Sequence, residues 1–187
     1  MKKRVYIMSW PSWVGKTTVW EIIINSDNLN FEKIITTTTR QPRDDEFYWV
    51  HYYFVEEEKF DRLVESWSLI EYAKVHWNYY WSTYEELERI LHEWLIPLYI
   101  VDHQWALFLK EKLKDDYDVV TVVLLPPNKD ELLKRLNKRW TETEETLKIR
   151  FQESMEQLEE KDFYDYEIVN DNLEKTVEEF IKITKNS

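Results

Sequence analysis

Cysteine is absent from this 187-residue chain, which excludes disulfides and thiolate metal sites. The four histidines, His51, His76, His92 and His103, are scattered without metal-ligand spacing. Long apolar runs are missing too. The opening Met-Lys-Lys-Arg-Val-Tyr-Ile-Met-Ser sets only Val5 to Met8 behind a basic cluster, far short of a signal core or a membrane span, so a cytoplasmic, membrane-free address is expected. Positive charge is in short supply, with 25 basic residues against 37 acidic ones and a net charge of −12. The acidic residues are spread along the chain, which argues against a nucleic-acid backbone as partner. Glycine is the scarcest common residue. Gly15 stands alone beside ten tryptophans, where an ordinary soluble chain is about 7% glycine.

What is present has a clear rhythm. Apolar runs of strand type at Val5 to Met8, Ile34 to Thr38, Pro97 to Val101, Val119 to Leu125 and Tyr166 to Val169 alternate with helical patterns. The helical stretches are Lys16 to Asn25, Thr83 to Glu93, Gln104 to Leu113, Asn128 to Lys138, Glu144 to Glu160 and Leu173 to Lys185. Such alternation predicts an α/β fold, a parallel sheet covered by helices on both faces. From Arg40 to Trp81 the rhythm breaks into short aromatic strands with one helix at Glu56 to Glu65, which reads as an inserted lobe. The length suits one folding unit with appendages.

Directly after the first strand stands Ser9-Trp10-Pro11-Ser12-Trp13-Val14-Gly15-Lys16-Thr17-Thr18. This is the frame G-x-x-x-x-G-K-[ST] with tryptophan in its first position. Such a loop wraps backbone N–H groups around phosphate, at a helix N-terminus whose dipole favours anions. Lys16 would reach the β- and γ-phosphates and the Thr17 hydroxyl would hold Mg²⁺; Ser12, Gly15 and Thr18 complete the candidate ATP cradle. Taken alone, the loop supports a nucleotide binder or a lysine at an ordinary helix start.

The remaining motifs decide between these. Thr39-Arg40-Gln41-Pro42-Arg43-Asp44-Asp45-Glu46 with Tyr52-Tyr53-Phe54, then Leu69-Ile70-Glu71-Tyr72-Ala73, Val75-His76-Trp77-Asn78-Tyr79-Tyr80-Trp81-Ser82 and Ile100-Val101-Asp102-His103-Gln104-Trp105-Ala106 follow in order. From end to end the chain resembles the guanylate kinases. The resemblance implies a P-loop NTPase-type parallel sheet flanked by helices, carrying a GMP-binding lobe and a helical lid. The boundaries expected are core 1–35, 83–138 and 161–187, lobe 36–82 and lid 139–160. It implies transfer of the γ-phosphoryl of ATP to GMP, with Mg²⁺, in a monomer or homodimer. Arg40, Arg43, Tyr52 and Tyr80 would grip the GMP phosphate, where a planar guanidinium matches phosphate oxygens bidentately. Glu71 would accept from the guanine N1–H and exocyclic amine, with Thr36 and Ser82 at the base. Asp102 would orient Mg²⁺ or the GMP side of the reaction. Arg135, Arg139 and Arg150 would close over ATP and spread the charge of the transferring phosphoryl. Asn170, in Asn170-Asp171-Asn172-Leu173, would border the adenine pocket. The competing reading is a non-catalytic binding module of the same fold.

Against that alignment, Trp10, Trp13, Trp49, Trp67, Trp77, Trp81, Trp94, Trp105 and Trp140 fall where the family carries glycine. Only Trp20 does not. One exchange, repeated while Lys16, Arg40, Arg43, Glu71, Asp102 and Arg150 stay intact, reads as a decoding signature. A gene using UGA for glycine, translated with a code that reads UGA as tryptophan, produces it. Deliberate glycine-to-tryptophan exchange, or genuine tryptophans in an inactive chain, are the alternatives.

Overall fold

The computed structural model describes residues 2–10, 16–26, 29–43, 46–66, 68–75, 77–128, 130–131 and 160–186. They form two compact units, Met1–Phe31 with Leu98–Ser187, and Glu32–Pro97.

The first unit is built on a five-stranded sheet. Its strands are β1 (Arg4–Ser9), β2 (Phe31–Lys33), β7 (Ile96–Ile100), β8 (Asp118–Leu125) and β9 (Tyr166–Val169), in the order β2-β7-β1-β8-β9. β1 runs parallel to β7 and β8, and β8 parallel to β9. Val5, Ile7 and Met8 on β1 and Val122 to Leu124 on β8 have no exposed surface, so both sheet faces are covered. That is why these strands read as continuous apolar runs and not as alternating ones. Helix α1 (Lys16–Ile24) lies against α5 (Leu173–Asn186), α4 (His103–Leu113) against β1 and β8, and α5 against β9. Tyr6, Phe31 and Phe180 close the core, with ring centroids 5.1 Å apart for Tyr6 and Phe31 and 5.4 Å for Phe31 and Phe180.

The second unit carries a four-stranded sheet in the order β4-β3-β6-β5, from β3 (Thr37–Thr38), β4 (Tyr53–Phe54), β5 (Leu69–Val75) and β6 (Asn78–Thr83). β3 pairs parallel with β4 and antiparallel with β6, and β5 pairs antiparallel with β6. Helices α2 (Glu57–Glu65) and α3 (Tyr84–His92) complete it. α3 is capped by the Thr83 hydroxyl, which accepts from the Glu86 N–H. Its far end is closed by a left-handed residue, Trp94 (φ 61°), with Trp94 N–H bonded to Leu91 C=O and Leu95 N–H to Ile90 C=O. This is the Schellman arrangement, in which the left-handed position is usually glycine.

The alternating α/β reading holds, and the observed elements follow the expected ones with one correction. The stretch Ile34 to Thr38 is not one strand: β2 ends at Lys33 and belongs to the five-stranded sheet, while β3 starts at Thr37 in the other. Ile34 to Thr36 lies outside both sheets and connects the two strands. α3 falls within the second unit, Glu32–Pro97. The expected helix Glu144 to Glu160 and most of Asn128 to Lys138 lie outside the described residues.

Candidate functional site

In the first unit the candidate residues gather at the carboxyl edge of the parallel sheet, where ligands bind in open α/β sheets. β1 ends at Ser9 and α1 opens at Lys16, so the phosphate-loop motif follows a strand and its Lys16 opens a helix. Ser12 and Gly15 lie outside the described residues; Lys16, Thr17 and Thr18 form the first turn of α1. Met8 and Ile100 are register partners, and Val101 N–H donates to Met8 C=O at 3.1 Å, so the ends of β1 and β7 are level. Asp102 follows as the N-cap of α4, exposed, with Oδ1 accepting from Trp105 N–H at 2.9 Å. Capping therefore occupies one of its oxygens. Asn170, just past β9, is buried; its N–H donates to Leu125 C=O at 2.8 Å and its Oδ1 accepts from the Thr176 hydroxyl at 3.1 Å. Arg135, Arg139 and Arg150 lie outside the described residues.

One arrangement here was not anticipated. His103, the first residue of α4, joins Tyr164 through Nδ1 at 2.8 Å and Glu160 through Nε2. It thereby ties the α4 start to the segment leading into β9.

In the second unit, Arg40 is held from several sides. Its Nε donates to the Tyr80 hydroxyl (3.1 Å), one terminal nitrogen to Gln41 C=O (2.8 Å), and the other to Glu46 Oε1 (2.8 Å). The guanidinium carbon lies 5.6 Å from the centre of the Tyr52 ring and 5.7 Å from that of Phe54, and the Tyr52 and Tyr80 rings are 5.9 Å apart. Glu46 also accepts from Arg43 N–H at 2.9 Å. Burial alone would raise the Glu46 pKa, but the Arg43 N–H and then the Arg40 guanidinium pull it below its ordinary value. The Arg43 residue itself is exposed. Burial, followed by the neighbouring Tyr80, raises the Tyr52 pKa.

Two residues along β6 from Tyr80, Ser82 faces its register partner Glu71 on β5. The buried Glu71 Oε1 accepts the Ser82 N–H at 2.8 Å and also the Ser82 hydroxyl. Side chains two apart on a strand share a face, so Tyr80 and Ser82 project together about 7 Å apart. One face of the sheet thus carries a guanidinium–tyrosine group and, one step along, a carboxylate–hydroxyl pair. Thr36 contributes its C=O to Tyr53 N–H at 3.1 Å and is not joined to the Glu71–Ser82 pair by any observed bond. On the opposite face Trp81 is fully buried, its ring centroid 5.0 Å from that of Phe60 and its indole N–H without a partner.

Comparison with known proteins gives a consistent answer. A family model described as guanylate kinase matches residues 2–186. The guanylate kinase of Mycoplasmoides gallisepticum is 33% identical over 175 residues, covering 94% of this chain and 88% of that protein. That of Rickettsia felis is 35% identical over 182 residues, covering 97% and 93%. Among solved structures, guanylate kinase from Anaplasma phagocytophilum superposes with a TM-score of 0.70 at 26% identity, covering 99% of this chain and 86% of that one. Shikimate kinase from Bacteroides thetaiotaomicron, at 14% identity and a TM-score of 0.52, is similar in fold alone.

Proposed function

Because this chain belongs to the guanylate kinase family, we propose that it transfers the γ-phosphoryl of ATP to GMP, giving ADP and GDP. The observation that supports this reading most strongly is the shared face of the second sheet, where Arg40, Tyr52 and Tyr80 stand one strand step from Glu71 and Ser82. A guanidinium in a tyrosine cage suits a monoester dianion. A buried carboxylate suits the paired N–H donors of guanine, which adenine lacks. In this assignment Arg40, Arg43, Tyr52 and Tyr80 take the GMP phosphate, while Glu71, Ser82 and Thr36 take the base.

ATP belongs at the β1–α1 loop, with Ser12, Gly15, Lys16, Thr17 and Thr18 around the phosphates, Asn170 toward the adenine, and Arg135, Arg139 and Arg150 over the transferring group. No cluster of three or more His, Asp or Glu able to cage a metal exists among the described residues. Mg²⁺ brought on the nucleotide phosphates would be held by the Thr17 hydroxyl, with Asp102 orienting it. When bound, the ion would supply neutralisation of phosphate charge. The chain's own work is to bind the two nucleotides and to stabilise spreading charge with Lys16 and the arginines. No helix of the described residues is long and apolar enough to cross a membrane, and a cytoplasmic location suits both substrates.

The reading includes glycine in the natural polypeptide at the nine family positions that carry tryptophan here. Trp49 and Trp94 sit at φ 58° and 61°, and the buried indole N–H groups of Trp81 and Trp105 have no partner. Each is a local conflict that glycine removes.

Equilibrium titration by calorimetry tests the assignment, on this chain and on a version with glycine at the nine positions. GMP binds at one site per chain and AMP does not, and Glu71→Gln lowers the preference for GMP over AMP at least ten-fold. Equal binding of GMP and AMP would remove the guanine assignment.

A further inference from the structure

The α3 start carries a carboxylate that the proposed mechanism does not use. Glu86 is buried, and its oxygens accept from the Ile35 backbone N–H (3.3 Å), the Tyr53 hydroxyl (3.2 Å) and the Arg89 guanidinium (3.0 and 3.2 Å). Thr83 and Glu86 have the spacing of a capping box, and the Thr83 half is made, but the Glu86 carboxylate spends its acceptors on the sheet side. Helix stability does not call for that choice.

The partners of Glu86 sit beside candidate GMP residues. Ile35 precedes Thr36 and Tyr53 follows Tyr52, and the same two segments are joined by the Tyr53 N–H to Thr36 C=O bond. One carboxylate therefore holds the backbone leading into Thr36 and the side chain next to Tyr52, and Tyr52 in turn packs on Tyr80 and under Arg40. Arg89 balances the buried charge and is itself bound to Glu32 and Glu93, so the group is paired on every side. Burial and then the Glu86 charge push the Tyr53 pKa up to about 12, so the phenol keeps the proton it donates.

We propose that Glu86 is a positioning residue for GMP, acting through Ile35 and Tyr53 to set the Thr36 and Tyr52 segments without touching the nucleotide. The proposal rests on the reading of this sheet face as the GMP site. The test compares GMP and ATP binding by calorimetry, together with thermal midpoints, in the chain carrying glycine at the nine positions, for the otherwise unsubstituted chain, Glu86→Gln and Tyr53→Phe. Glu86→Gln weakens GMP binding about ten-fold, the loss of one charged hydrogen-bond partner, and leaves ATP binding unchanged. Tyr53→Phe, which deletes one hydroxyl and keeps the ring, shifts GMP binding in the same direction by less. In the double variant the two losses add only in part, because they share the Glu86–Tyr53 contact. Unchanged GMP affinity in both variants overturns the proposal, as does parallel weakening of GMP and ATP that tracks a fall in thermal midpoint. If the otherwise unsubstituted chain fails to bind GMP, the site reading falls and this proposal with it. If it binds GMP and the variants bind equally well, only this proposal falls.

Discussion

Replacing Trp94 by glycine should stabilise the protein, although a large aromatic side chain is removed. Trp94 is 91% exposed, so the loss of its indole forfeits almost no buried area. Its backbone, at φ 61°, closes α3 in a left-handed conformation fixed by the Trp94–Leu91 and Leu95–Ile90 hydrogen bonds. That conformation costs an L-residue with a Cβ about 1–2 kcal/mol, and glycine nothing. Against this, glycine makes the unfolded chain freer by about 0.4–1 kcal/mol. The balance favours Trp94→Gly by about 1 kcal/mol, or about 2–4 °C in melting temperature for a chain of this size. Trp20, half-buried in the middle of α1, is the internal control: glycine there loses both helix propensity and packing, at a cost of about 1 kcal/mol or more. Urea and thermal melts followed by far-ultraviolet circular dichroism measure both variants. A lower midpoint for Trp94→Gly, or equal shifts at 94 and 20, would refute the argument that position 94 is built for glycine.

Three further outcomes follow from the same geometry. Arg40→Lys keeps the charge and loses the fork that reaches Tyr80, Gln41 and Glu46 together, so GMP affinity should fall about 10- to 100-fold with ATP affinity unchanged in titrations. Asp165 is held below its ordinary pKa: desolvation acts in the opposite sense and is outweighed by the N–H and hydroxyl of Thr121 and by Lys110. A carboxylate with a depressed folded pKa contributes stability above its unfolded value, near 3.9, and loses it as pH falls through the folded value. Asp165→Asn should therefore lower the urea midpoint at pH 7, and the gap to the parent should narrow as pH falls below the unfolded value. Peptide mass spectrometry of the natural protein across positions 46–52 and 93–95 should show glycine mass at 49 and 94; tryptophan mass there would reject the decoding reading.

Much of the fold was legible because its central strands, β1 and β8, are buried on both faces and carry apolar runs between polar segments. β9, an edge strand with Glu167 and Val169 exposed, was still read at its observed limits. α3 was readable from its periodicity, expected at Thr83 to Glu93 and observed at Tyr84–His92. The Ile34 to Thr38 stretch misled because an unbroken run of β-branched residues crosses from one sheet to the other without a glycine or proline to mark the break. At the candidate site, Arg40, Tyr52, Tyr80, Glu71 and Ser82 were singled out by the resemblance to the guanylate kinases. Glu86 escaped because an acidic residue in the first turn of a helix is commonly a solvated dipole partner. Its burial depends on Ile35 and Tyr53, 51 and 33 residues away, which no local pattern reveals. His103 escaped for the same reason, its partner Tyr164 being 61 residues distant.

The most direct measurement is chromatographic quantification of GDP formed from ATP and GMP by the chain carrying glycine at the nine positions. The account predicts GDP and ADP in equal amounts, only when GMP is supplied and not with AMP or shikimate as acceptor. A folded protein that binds ATP yet releases no GDP, or one that phosphorylates AMP as readily, would contradict it.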